Sequence, residues 1–151
     1  MENILVIFEA TEERTEGLAL ALGLGAVQHG ANIRLRHLNP SPIANLVHQS
    51  YGRLKVDHLL WAEGIAIVLE TGEQTAIREI VQKVEQFSEM RDPVSRIVLV
   101  AGGDANSESV RSLHAKFARP EFRMLTEDKV NSTITLSSMS QIGQRFACEN
   151  L

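Results

Sequence analysis

Apolar residues in this chain fall into short unbroken runs, separated by segments where they recur every three or four positions. Three runs are apolar throughout: ILVIF at 4–8, IAIVL at 65–69 and IVLV at 97–100. Such runs, rich in β-branched residues, read as strands buried on both faces, the habit of a parallel sheet. Two further segments alternate. In NIRLRHL, Ile33, Leu35 and His37 point one way and Asn32, Arg34 and Arg36 the other; in STITLSS, Ile134 and Leu136 alternate with Thr133 and Thr135. Alternation suits strands at sheet edges, where one face or margin meets water.

Helical spacing fills the intervals. Thr11 is placed as the N-cap of a helix running to about Gln28, with Gly30 to end it. Ile77, Ile80, Val81, Val84 and Phe87 form one apolar stripe, opened by a Thr71/Gln74 pair in capping-box spacing. Val110, Leu113 and Phe117 form another, stopped by Pro120, and Ile142, Phe146 and Cys148 mark a last helix. Residues 42–61 are expected to hold a short helix and a turn at Gly52. The alternation of strand and helix predicts an α/β fold, a three-layer sandwich around a five-stranded parallel sheet with right-handed crossovers. Edge-like second and last strands predict the order 2-1-3-4-5. Residues 122–125 fit either an extra strand or the first half of a split fifth strand.

A length of 151 residues fits one domain, taken here as 1–151, large enough for a sizeable core. A formal charge of -4 gives no general attraction to nucleic acid or anionic membranes, and the basic residues look scattered, with no aromatic-interleaved cluster. A single cysteine, Cys148, rules out an internal disulfide and favours a reducing compartment; it is expected as a helix-packing thiol with no histidine near it in sequence. No secretory pattern opens the chain and no apolar stretch is long enough to span a bilayer, so the expectation is a soluble cytoplasmic protein. The five histidines share no metal-ligand spacing and are expected at the surface or at sheet edges.

Three stretches together resemble the flavodoxin superfamily, most closely its branch of small quinone reductases and tryptophan-repressor-binding proteins. ILVIFEATEERTEGLA resembles the first strand and FMN-phosphate loop, with Thr15 and Glu16 where that family commonly has Thr-Glu. VDHLLWAEGIAIVLET resembles the lead-in to the third strand, and IVLVAGGDANSES the fourth strand with its loop toward the flavin. The resemblance implies an oxidoreductase or electron carrier that passes electrons from NAD(P)H through FMN to a quinone. It implies Thr11, Arg14 and Thr15 at the FMN phosphate, and Thr71, Gly72, Gly103 and Asp104 near the ring.

The departures point elsewhere. Glu12 and Glu13 stand where the family's phosphate loop is rich in Ser, Thr and Gly, and the loop after Leu69 is short and carries no aromatic residue. A helix N-terminus is an anion site, but carboxylates in the first turn compensate the helix dipole from within the chain. At an effective dielectric near 20, each close glutamate would cost a phosphate roughly 2–3 kcal/mol before screening. Three readings therefore stand: an altered FMN site; a flavin-free binding or assembly module whose glutamates are a solvated helix start; and a cation site of Glu9, Glu70 and Asp104 at the strand ends. Receiver domains share the strand order, but Glu70 and Ala101 stand where they need Asp and Ser or Thr. The helix LALALGLGAV is apolar nearly all round, with Gly23 and Gly25 permitting close approach by a neighbour, and a homodimer is expected from it.

Overall fold

The computed structural model describes residues 1–9, 13–38, 52–69, 74–90, 92, 94–102, 108–125 and 135–148. Its elements run β1 (Asn3–Phe8), α1 (Glu13–Gln28), β2 (Asn32–His37), α2 (Val56–Trp61), β3 (Gly64–Leu69), α3 (Gln74–Glu89), β4 (Arg96–Gly102), α4 (Glu108–Lys116), β5 (Phe122–Leu125) and α5 (Leu136–Ala147). All strand pairings are parallel, and the sheet order is β2-β1-β3-β4-β5. The unbroken apolar runs became the three central strands, and the alternating β2 lies at an edge.

Period-2 geometry sends successive residues of each central strand to opposite faces. Ile4, Val6, Phe8, Ala66, Val68, Ile97 and Leu99 join α1 and α5 in one apolar cluster. Leu5, Ile7, Ile65, Ile67, Leu69 and Val98 join α2, α3 and α4 in the other. The result is the three-layer sandwich that the pattern predicts.

The last strand differs from the alternation reading. The described part of STITLSS, from Thr135 onward, belongs to α5: the Thr135 side chain accepts a hydrogen bond from the Ser138 backbone N–H at 3.1 Å and caps the helix. Met139, Ile142 and Phe146 then recur at helical spacing into the core, which outweighs the short β-like alternation. The fifth strand is Phe122–Leu125, paired in parallel with Arg96–Leu99.

Helix α1 also resolves more simply than its all-round apolarity suggests. A Cβ on Gly23 would strike Ile33 of β2, and a Cβ on Gly25 would lie less than 3.0 Å from the Ser140 carbonyl of α5. Both close approaches are made within the chain, so neither glycine requires a second subunit. The large hydrophobic residues that α1 leaves exposed are Leu20, Leu24 and Val27.

Candidate functional site

The chain leaves β1 toward β2 on one side and enters β3, β4 and β5 on the other, so the topological switch lies between β1 and β3. Open α/β sheets bind ligands at the carboxyl ends of strands beside such a switch. Here that edge is well defined. The Glu9 N–H donates to the Val68 carbonyl at 3.0 Å, the Leu38 N–H to the Phe8 carbonyl at 3.0 Å, and Leu69 lies opposite Gly102 in register.

Gly102 closes the β4 end with φ +82°, and a Cβ there would fall inside the van der Waals shell of the Leu69 carbonyl. Left-handed backbone costs a non-glycine residue about 1–2 kcal/mol, and the clash adds a comparable amount. Gly102→Ala should lower stability by about 2–3 kcal/mol in urea unfolding. An unchanged midpoint would show that this strand end is free to splay.

Helix α1, Glu13–Gln28, is the element that follows β1 in the chain. Arg14 in its first turn is exposed, whereas Thr15 is completely buried. Two carboxylates share this end: Glu9 is 1% exposed and Glu16 5% exposed. The expectation of a solvated glutamate start is therefore corrected for these two. Burying a carboxylate costs several kcal/mol unless it is compensated, and the positive end of a 16-residue helix is a natural place for it. Helical phase carries the signal for one of them: Glu16 shares a helical face with Ala19, Gly23 and Ala26, all of them buried.

The structure speaks to only part of the expected site. Thr11, Glu12, Glu70, Thr71, Gly72, Gly103 and Asp104 lie outside the described residues, as does the side chain of Glu13. The proposed Glu9, Glu70 and Asp104 convergence is outside them for the same reason. Among the described residues no group of three or more His, Cys, Asp or Glu side chains could hold a metal ion.

Tested against FMN, the described residues supply one cation in the first turn of α1, Arg14, and two buried acidic residues, Glu9 just beyond β1 and Glu16 in α1. They offer no exposed ring to stack on an isoalloxazine. Phe8 is at the correct edge but buried, its ring 6.4 Å from that of His37, and Trp61 lies before β3, at the opposite edge.

Tertiary structure also joins residues far apart in sequence. His37 lies on the edge strand β2, one of the two places expected for the histidines, yet it is buried, with Nδ1 2.9 Å from the Leu38 carbonyl oxygen. Cys148, expected to pack in a helix, is exposed, and its Sγ lies 3.4 Å from Nδ1 of His29.

Strand order, layer arrangement and the helix start at the switch point define the flavodoxin-like fold. No family model and no curated protein matches the chain. Among solved structures, 96% of the chain aligns with 96% of a flavodoxin from the domain Archaea, at TM-score 0.64 and 16% identity. It aligns over 97% of both chains with a short-chain flavodoxin associated with a non-canonical PDU bacterial microcompartment, at TM-score 0.64 and 11% identity. An FMN-dependent cysteine decarboxylase from thioviridamide biosynthesis aligns over 99% of both chains, at TM-score 0.52 and 10% identity. At these identities the likeness establishes the fold.

Proposed function

We propose that this chain is an FMN-binding redox protein of the flavodoxin type, serving as an electron carrier or as an NAD(P)H:quinone reductase. The observation that carries the proposal is the exposed Arg14 in the first turn of α1, at the switch-point end of β1. A helix N-terminus favours an anion, and a guanidinium can bind a phosphate through two parallel hydrogen bonds. Support for the cofactor class comes from the whole-length likeness to flavodoxins and to a protein described as FMN-dependent.

In this reading Arg14 and Thr11 hold the phosphate, the expected Thr15 being completely buried, and the segments containing Thr71, Gly72, Gly103 and Asp104 border the ring. The bound flavin would supply reversible electron transfer; the protein supplies orientation and electrostatics.

A specific observation favours the flavin-free reading as the alternative: two buried carboxylates already occupy the positive end of α1, and no described aromatic ring is offered at that edge. Fluorescence titration of FMN decides between the two. Micromolar quenching, weakened about tenfold by Arg14→Gln, is the expected result, since losing one charged hydrogen-bonding group costs about 1.5–3 kcal/mol. A colourless protein that leaves FMN fluorescence unchanged would transfer the assignment to the binding or assembly module.

A further inference from the structure

One face of the molecule concentrates positive charge in a chain that is otherwise acidic. Residues 32–62 contain Arg34, Arg36, Arg53 and Lys55 against the single acid Asp57, in a chain of net charge -4. Sequence spacing hides this, because β2 and α2 are separated by a long connection. The fold brings side chains of the two elements together, Arg34 onto Trp61 and Arg36 onto His58.

The side-chain geometry is specific. The Arg34 guanidinium lies over the Trp61 ring, 4.3 Å from its centroid. A cation over the ring face is held there by the ring quadrupole while its N–H groups remain able to donate to an acceptor. Arg36 Nε–H is directed at His58 Nε2 at 3.1 Å, and the Lys55 backbone N–H at His58 Nδ1 at 2.9 Å. A neutral imidazole accepts at only one nitrogen. Whichever nitrogen carries the proton, one of these two donors faces another N–H.

Charge repulsion reinforces the shortage of acceptors. Burial, then the neighbouring Arg36, Arg34 and Lys55 cations, pushes the His58 pKa down, with Asp57 alone acting in the other direction. Burial and then Arg34 likewise lower the Arg36 pKa. Among the described residues, Glu79 lies 3.5 Å from Arg53. Charges alone would suffice to guard an edge strand against pairing. Here, in addition, one guanidinium lies over an indole ring, and a second, whose Nη1 donates to the Leu35 carbonyl at 2.6 Å, competes through its Nε–H with the Lys55 N–H for one imidazole.

We propose that this β2–α2 face docks a carboxylate-rich segment of an acidic partner protein, with Arg34, Arg36 and Lys55 as its contacts. A polypeptide fits better than a nucleic acid for two reasons. Arg34 covers the Trp61 face on which a base would stack. An extended polyphosphate would also run past the patch onto the acidic remainder of the surface, which a short acidic segment avoids. The inference does not depend on flavin binding.

A fluorescein-labelled octaglutamate peptide, followed by anisotropy at about 20 mM and about 200 mM salt, tests it. Saturable binding is expected, weakening at the higher salt, with a change in the emission of Trp61, the chain's one tryptophan. The double variant Arg34→Gln/Arg36→Gln should weaken binding at least about tenfold, the effect of losing roughly 1.4 kcal/mol or more. Arg78→Gln/Arg111→Gln, which removes the same charge from α3 and α4, should remain within about twofold. Circular dichroism verifies folding of each variant; if the double variant unfolds, Arg34→Gln alone must show the loss. Absence of saturable binding at low salt, equal weakening by both double variants, or tighter binding of a labelled single-stranded DNA octamer would each overturn the proposal.

Discussion

Replacing Arg96 with methionine should cost about 3–5 kcal/mol of stability, far more than its place at the start of β4 suggests. Arg96 is 3% exposed, yet it is surrounded by acceptors. Its Nε donates to the Ala62 carbonyl at 3.1 Å and Nη2 to the Leu60 carbonyl at 3.0 Å. Nη1 reaches the Asp92 carboxylate at 2.7 Å and also the Val94 carbonyl. The guanidinium further lies 4.7 Å from the centroid of the Phe87 ring.

Two of these acceptors are carbonyls at the C-terminal end of α2, a six-residue helix too short to satisfy its own last turn. Arg96 therefore acts as the C-terminal cap of α2 while joining it to the α3–β4 connection. Methionine fills similar volume but leaves three carbonyls without that donor, each worth about 1–3 kcal/mol when buried. Lysine should rescue little, because an ammonium cannot reproduce the fork.

Urea unfolding with an unchanged m-value reads the loss directly. The difference from the parent should narrow in acid. Arg96 holds the Asp92 carboxyl below the ordinary carboxylate range. The contribution of a depressed carboxyl is complete above its unfolded pKa and is lost as pH falls through the lowered folded value. A loss below about 1 kcal/mol for Arg96→Met would mean that water caps α2 equally well.

The second large effect is expected at the contact between α1 and α5. A Cβ on Gly143 would lie less than 3.0 Å from the Leu22 carbonyl oxygen, and one on Gly25 would do the same to Ser140. The two backbones touch because neither helix has a side chain there. In an isolated helix Gly→Ala is worth about 1 kcal/mol of stabilisation. Here the sign should reverse, because the obstruction is backbone and cannot rotate away. Gly143→Ala should cost about 2–3 kcal/mol and Gly143→Val about 4 kcal/mol or more, the upper range of overpacking in a rigid core.

Thermal unfolding of the two variants checks both the sign and the ordering. Stabilisation by alanine would show that the helices can move apart without loss. Because α1 also provides the Arg14 end of the candidate site, the same variants should weaken whatever binds there only if α1 itself shifts.

Much of this architecture is legible in one dimension. Unbroken apolar runs mark central strands because both faces of a parallel sheet are covered, and α3 shows its stripe from Ile77 to Phe87 because only one of its faces is. The placement of β5 is less legible: four residues of strand carry little pattern, while the alternation at 133–136 imitated one until Thr135 became a cap. Burial of Glu16 follows from its helical phase, but that of Glu9 does not, since a residue just beyond a strand has no phase to read.

What the sequence by itself determined is therefore the layering, the strand order and the helix start after β1, all of which follow from local period and the hydrophobic effect. Tertiary structure alone decided which side chains meet across long separations. The Arg96 cap, the Gly143 contact with Leu22, and the placement of Arg34 on Trp61 each join residues from different elements. Local spacing carries no trace of such meetings, because they depend on how packed layers bring separate segments of the chain together.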